Sequence, residues 1–476
     1  RTVTGVQTCA LPILMFNNGN MAHPFPAIPN SLNPQDFIAA MGSDLNFDGL
    51  GNTAQCWMWT NPAQDTCVIS WINVPFWQSA APTYSGSNSF QIILTSVDSS
   101  ITFQYQTQTG IYSAGGNFMT IGIENISGTV GLPVMYNPPN LGGYYIATPY
   151  AVKFYYPPST TFVATDVEAH WNNNTISGGQ FLSRGTPVPY QMVTAVKNTG
   201  NVSVSPFGVN CKILNSFNTV QVQDNATTTA MTPSQIQVLT MNNTFSPTLN
   251  GTYKFITTTA LTGDIVASNN IDSEEIVVVD TAQMNIRLSF DDNASNLAGL
   301  QWNGGNGGAG MQFVPPFYPC KVTQLHFYIM TNDSTVGFYA KLHQSGGPNG
   351  LPGAMLDSVF VPATSVTFPA WNNVTLATPI QIDSGSFYVS WHMGGPNISL
   401  GQDTNKPISN RTFEVLGNTW AIYRYRQTED LMINATIQRV ITTGENELSN
   451  SSVSAEFYPN PADKNSYAEL NVKPEE

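Results

Sequence analysis

The sequence predicts an all-β protein made of tandem β-sandwich modules, followed by part of a further C-terminal domain. Three observations predict this. Apolar residues recur at every second position along most of the chain, which is the period of a strand and not of a helix. Clusters of Gly, Pro, Asn, Asp and Ser interrupt these runs at short intervals, as turns do. The polar surface is drawn from Asn, Thr, Ser and Gln: 10% of the 476 residues are charged and 41% are hydrophobic, against a usual charged share of about 25%. At roughly 150 residues per domain, this length suggests about three domains.

The charge balance narrows the function classes. A net charge of −14 with no Lys/Arg cluster argues against a nucleic-acid partner, because nothing is present to displace phosphate counterions. No run of about 18 apolar residues occurs, so no transmembrane helix is expected.

Taken in order, the chain opens on Val3-Thr-Gly-Val-Gln-Thr-Cys-Ala-Leu-Pro-Ile13. A widely used sequencing-adapter oligonucleotide encodes this stretch when translated. Residues 1–13 are therefore read as an assembly artefact and set aside, and the chain as an interior piece of a longer protein. The first module is expected over 14–157. Phe90, Ile92 and Leu94 alternate with Gln91, Ile93 and Thr95. After a turn at Asp98-Ser-Ser100, Ile101, Phe103 and Tyr105 alternate in the same way. This is a hairpin with one apolar face. Phe37–Met41 is the one candidate for a brief helix.

Cys56 and Cys67 flank Asn61-Pro62, a turn signal. A hairpin centred there sets the two cysteines opposite each other, within reach of a disulfide. Such a bridge contributes about 2–4 kcal/mol and suits an oxidising compartment. Cys211 and Cys320 fall in different modules and are expected to be unpaired. Asp44-Leu-Asn-Phe-Asp-Gly49 opens like a calcium loop, with Asp44, Asn46 and Asp48 as oxygen ligands. The twelfth position, however, is Gln55 where an acid is wanted, and a polar glycine turn is the plainer reading.

Four stretches of this module, Phe37-Ile-Ala-Ala-Met-Gly-Ser-Asp-Leu-Asn46, Ser70-Trp-Ile-Asn-Val-Pro75, Ser89-Phe-Gln-Ile-Ile-Leu94 and the run from Ile121 to Leu132, resemble the extracellular nidogen-like β module. The resemblance implies a secreted protein whose first module lacks its earliest strands.

The second module is expected over 158–281, as a sandwich of about seven strands. Tyr190–Val196 runs into the turn Lys197-Asn-Thr-Gly-Asn201. Gly251-Thr-Tyr-Lys-Phe-Ile-Thr-Thr258 is a second strand, and Asp264, Asn269-Asn270 and Glu274–Val279 close the domain. That order resembles the bacterial immunoglobulin-like domain related to cell-adhesion repeats, and implies a spacer.

The third module, 282–440, is strand-rich with long loops, and a jelly-roll-like sandwich is expected. Trp302, Trp371, Trp391, Trp420 and Tyr423 are candidates for stacking on sugar rings, although aromatics favour strand interiors for packing reasons alone. Asp291, Asp292 and Asp403 are further candidates for Ca²⁺. His326 and His343 are candidates to approach each other across strands.

Residues 441–452 read as a linker. In 453–476, an apolar run ends at Tyr458-Pro459-Asn460-Pro461. This resembles the opening of the type A C-terminal sorting domain of the type IX secretion system, cut short at Glu476. It implies the secretion machinery as a partner and an extracellular or outer-surface location.

No zinc-binding helix, nucleophile elbow or phosphate loop is present. The reading is a non-catalytic adhesion or binding scaffold with no cofactor beyond the calcium candidate. Its ligand would be an extracellular glycan or protein. The alternatives are the accessory region of a secreted peptidase whose catalytic domain lies upstream, and a glycan-binding protein.

Overall fold

The structure, a computed structural model, describes residues 13–15, 26–30, 36–47, 51–78, 83–112, 119–126, 128–137, 148–156, 163–185, 188–302, 304–417, 419–440, 453–458 and 467–472. Among them the regular elements are strands and three short 3₁₀ turns. The chain is all-β, built as stacked sheets.

In the first part, a four-stranded sheet (Ile13–Met15, Phe37–Gly42, Thr120–Glu124, Gly131–Tyr136) packs on a five-stranded one. The second sheet comprises Gln55–Thr60, Thr66–Trp77, Tyr84–Thr95, Ser100–Gln108 and Tyr150–Phe154. The alternation read from the sequence sets the register: Phe90 lies opposite Tyr105, Ile92 opposite Phe103, and Leu94 opposite Ile101. Phe90, Ile92, Phe103 and Tyr105 are buried in one core with Trp71 and Phe76. Phe37–Gly42 is a strand and not the brief helix expected. All six of its residues are buried, so both faces meet protein and no one-sided periodicity marks it.

The second part pairs a three-stranded sheet (Val167–Asn172, Tyr190–Asn198, Ile236–Phe245) with a five-stranded one. The eight strands exceed the expected seven because Gln180–Ser183 adds a parallel edge to Ile271–Val279. The turn after Tyr190–Asn198 is held by Asp166, whose carbonyl accepts from both Thr199 N and Gly200 N at 3.1 Å. A Cβ on Gly200 would stand 2.2 Å from the Ala164 carbonyl, so only glycine fits.

The third part stacks two sheets. One holds Asn285–Leu288, Ile433–Arg439, Cys320–Asn332 and Ala370–Ile382. The other has six strands in the order Met355–Val361, Phe338–Gln344, Phe387–Met393, Gly307–Phe313, Thr412–Leu416, Thr419–Ile422.

The core of this third part does not stop at its boundary with the second. It takes in Phe181 and Val279 from across the junction. Phe181 packs on Phe290 with ring centroids 4.4 Å apart, Phe290 on Phe313 at 6.2 Å, and Phe313 on Phe387 at 5.5 Å. Beside this stack, the buried Arg411 side chain donates to the Gly179 carbonyl (3.0 Å), the Gly178 carbonyl (3.2 Å) and Gln312 Oε1 (2.6 Å). The glycine pair makes the approach feasible. A Cβ on Gly178 would lie 2.7 Å from Arg411 Nε, and one on Gly179 would lie 2.6 Å from the Phe290 ring. Gly179 N and Asn410 Nδ2 add bonds across the same junction, to Ser409 O (2.6 Å) and Ser177 O (3.2 Å). A shared apolar core and a set of directional hydrogen bonds join the two parts.

Candidate functional site

The six-stranded sheet of the third part turns alternate residues away from the core. Residues directly opposite in an antiparallel ladder point to the same face. Phe360 lies opposite Tyr339, Tyr339 opposite His392, His392 opposite Gly308, Gly308 opposite Val415, and Val415 opposite Trp420. One row therefore crosses all six strands, a span of about 24 Å at the usual strand spacing. Phe360 and Tyr339 are exposed, with ring centroids 4.8 Å apart, and Lys341 Nζ lies 5.8 Å from the Tyr339 ring centre. Gly308 has no room for a Cβ, which would sit 2.5 Å from the Trp391 carbonyl, and a Cβ on Gly310 would lie 3.2 Å from the Trp420 ring.

Beneath Trp420 runs a chain of three polar side chains. Ser390 Oγ lies 3.1 Å from both His343 Nε2 and His392 Nε2. His343 also meets the Gly353 backbone. Burial, followed by the Lys341 charge, pushes His343 down to about 4. Burial, then Lys341 and His343, pushes His392 down to about 3. Both rings are neutral at physiological pH, and no carboxylate is among the charges that act on them. Ser390 is fully buried. Ser390 thus lies in a buried hydrogen-bond chain between two neutral imidazoles.

The five aromatic candidates do not form one surface. Trp391 and Tyr423 are buried in the core, because Trp391 falls on the inward phase of Phe387–Met393. Trp371 belongs to the other sheet, where Arg287 stacks on it at 4.3 Å and Tyr328 meets it edge-on at 5.6 Å. Trp302 is half-buried against the core. Only Trp420 lies in the row described above, and Tyr339 and Phe360 are the exposed members that the sequence reading passed over.

Cys56 and Cys67 are free thiols. The hairpin forms, but its turn spans Asn61–Thr66, capped by Asn61 Oδ1, which accepts from Asp65 N (3.0 Å) and Thr66 N (3.2 Å). Its centre is therefore two residues later than expected. Cys67 faces Thr60 and Cys56 faces Trp71, an offset of four residues, or about 13 Å, beyond disulfide reach. Cys211 and Cys320 are buried and free, and burial pushes their thiols up to about 11 and about 12.

Asn46 Nδ2 donates to the Thr83 carbonyl at 2.7 Å, and the Asp44 carbonyl accepts from Trp77 N at 3.0 Å; Asp48 lies outside the described residues. Asp292 and Asp403 do meet: Asp292 N donates to Asp403 Oδ2 at 2.9 Å, and Asn405 Nδ2 donates to Asp292 Oδ2 at 2.7 Å. Among the described residues, no three His, Cys, Asp or Glu side chains are grouped to hold an ion. His326 bonds Asn373 and Thr436, each at 2.7 Å. It sits in the sheet opposite that of His343, so those two histidines are not brought together. Tyr458 ends the strand Val453–Tyr458, which pairs with Tyr467–Val472. Pro459, Asn460 and Pro461 lie outside the described residues.

No protein-family model matches the chain, and no curated protein matches it. Parts of it are similar to solved structures. One is the CARDB domain of a Pyrococcus furiosus protein, solved with di-metal ions, at 22% identity over 25% of this chain and 97% of that one, TM-score 0.20. A second is the cysteine protease and lectin-like domains of Cwp84, a surface layer associated protein of Clostridium difficile. It is 11% identical over 49% of this chain and 58% of that one, TM-score 0.25. A third is a carbohydrate-binding module of the beta-sandwich super family, at 12% identity over 50% of this chain and 94% of that one, TM-score 0.16. No helix among the described residues is long and apolar enough to cross a membrane.

Proposed function

We propose that this chain is a secreted, non-catalytic binding scaffold, with modules at 14–157, 158–281 and 282–440, that presents the six-stranded face of its third module to an extracellular glycan. One observation carries the reading: the cross-strand row from Phe360 and Tyr339 to Trp420 on a largely uncharged sheet face. Aromatic faces suit the C–H-rich faces of sugar rings, and Lys341 beside the row supplies a hydrogen-bond donor for hydroxyls. The second module, locked to the third through Arg411 and Phe181, serves as a rigid spacer. A glycan array probed with the full chain is expected to show binding that Tyr339→Ala and Phe360→Ala each weaken by about 1–2 kcal/mol. That figure is of the order of one stacking contact. Equal binding by wild type and both variants would exclude this face as the site, and no binding above background by the wild-type chain would remove the glycan reading.

Export through the type IX machinery is supported by the Tyr458-Pro-Asn-Pro461 motif at the end of its strand. In a bacterium that carries this machinery, deleting residues 453–476 is expected to retain the protein in the cell envelope. Secretion of the truncated chain at the wild-type level would contradict the assignment.

A further inference from the structure

A cavity of about 570 Å³ opens at one end of the first module, between its two sheets. This is within the size range of small-molecule sites. Its walls include Ile38, Leu94, Ile101, Ile123 and Leu132, and the acids among its lining are Asp36, Asp65 and Glu124, with no Lys, Arg or His among the described residues that line it. Lys153 pairs with Asp98 at 2.7 Å, and Lys197, whose charge also acts on Asp36, lies 3.6 Å from Glu168. Asp65 Oδ1 is taken by Asn61 Nδ2 (2.5 Å) and Thr66 Oγ1 (2.9 Å).

Glu124 is the unusual group. It is 6% exposed, and its Oε2 accepts from Asn30 N at 2.5 Å. Its Oε1 is buried without a hydrogen-bond partner. A buried carboxylate oxygen left unpaired is costly. An apolar cavity lined by acids alone favours a ligand that brings a positive charge on a hydrocarbon body. We propose that this cavity binds an amphipathic primary amine, with the ammonium on the Glu124 carboxylate and the hydrocarbon between Ile38, Leu94, Ile101 and Ile123. Neutral amphiphiles of the same length lack the positive charge, and anionic ones carry the wrong one.

The geometry also fixes a pH dependence. Burial pushes Glu124 up to about 7, and burial raises Asp36 against the smaller pull of Lys197. The ammonium binds the ionised carboxylate, so below pH 7 a proton must leave Glu124 on binding. Affinity then falls by up to about tenfold per pH unit.

The test is titration calorimetry of the full chain with n-hexylammonium, n-hexanol and n-hexanoate at pH 6 and pH 8. The expected result is binding of n-hexylammonium at pH 8, about tenfold weaker at pH 6, with neither other compound matching it. Glu124→Gln, which keeps an acceptor for Asn30 N, is expected to lose at least about tenfold in affinity at pH 8. Equal binding of hexanol by the wild-type chain would overturn the proposal without recourse to a variant. So would the absence of hexylammonium binding, or unchanged affinity in a Glu124→Gln protein that retains its β-sheet circular dichroism.

Discussion

Arg411→Met is expected to destabilise the second and third modules together by about 3–5 kcal/mol, the range for breaking a buried charged network. The guanidinium is buried and makes three hydrogen bonds, two of them to backbone carbonyls of the other module. Methionine fills a similar volume but strands the Gly179 carbonyl and Gln312 Oε1, each at a cost of about 1–3 kcal/mol, while the Gly178 carbonyl keeps its bond from Asn174 Nδ2 at 2.9 Å. Glu274, buried with neither carboxylate oxygen hydrogen-bonded, loses the one cation whose charge favours its ionised form. A partial offset comes from Arg426, which Arg411 repels. Urea unfolding measures the loss. The exposed Arg184–Asp280 pair supplies the contrast: Arg184→Ala is expected to cost less than about 1 kcal/mol.

The second large effect is on pH. Stability is expected to rise as pH falls from 7 to about 5, the reverse of ordinary acid sensitivity. Asp430, fully buried, accepts from Ser409 N at 2.9 Å and Ser409 Oγ at 2.5 Å. Burial outweighs those bonds and pushes its carboxyl up to about 7, with Asp403 and Asp291 adding to the shift. Glu275 reaches across the junction from the second module into the same field and is raised well above its ordinary value by burial, then by Asp430, Asp403 and Asp291. Burial also raises Glu274 well above its usual range and Asp166 to about 6.

For each of these acids the folded state holds a proton that the unfolded state has lost. Folding therefore binds protons between the unfolded and folded values, and stability falls as pH rises through that window. For Asp430 alone the window runs from about 4 to about 7, on the order of 4 kcal/mol. His343 and His392, held near 4 and 3, act in the opposite sense below about pH 6.5, but the acids outnumber them. Thermal unfolding from pH 5 to pH 8 at constant ionic strength checks the sign. In Asp430→Asn the slope between pH 5 and 7 is expected to shrink by about one proton. A melting temperature that climbs steadily from pH 5 to 8 in the wild type would refute this assignment.

The stacked-sheet build was legible because period-two alternation survives wherever one strand face is buried and the other is wet. Phe90–Leu94 and Ile101–Tyr105 show it directly. The proposed binding face was not legible, because Phe387-Tyr-Val-Ser-Trp-His392 carries rings on both phases of its alternation. Composition cannot say that Trp391 turns inward and His392 outward; only the partner strands decide. Tyr339 and Phe360 become neighbours only through the register of the hairpin across the glycine-rich loop. The junction was further out of reach. Gly178-Gly179 reads as an ordinary turn until Arg411, more than 230 residues later, is set against it. The cysteine pairing failed on a two-residue error in the turn centre, the least determined quantity in a hairpin read from sequence alone.

Native-state hydrogen exchange tests most directly the claim that the second and third modules form one rigid unit. Amides of Ile271–Val279 and Gly307–Phe313 lie on opposite sides of the junction. They are expected to share one opening free energy, and Arg411→Met should lower both equally. If Ile271–Val279 keeps its full protection while that of Gly307–Phe313 falls, the modules open independently and the spacer is a hinge.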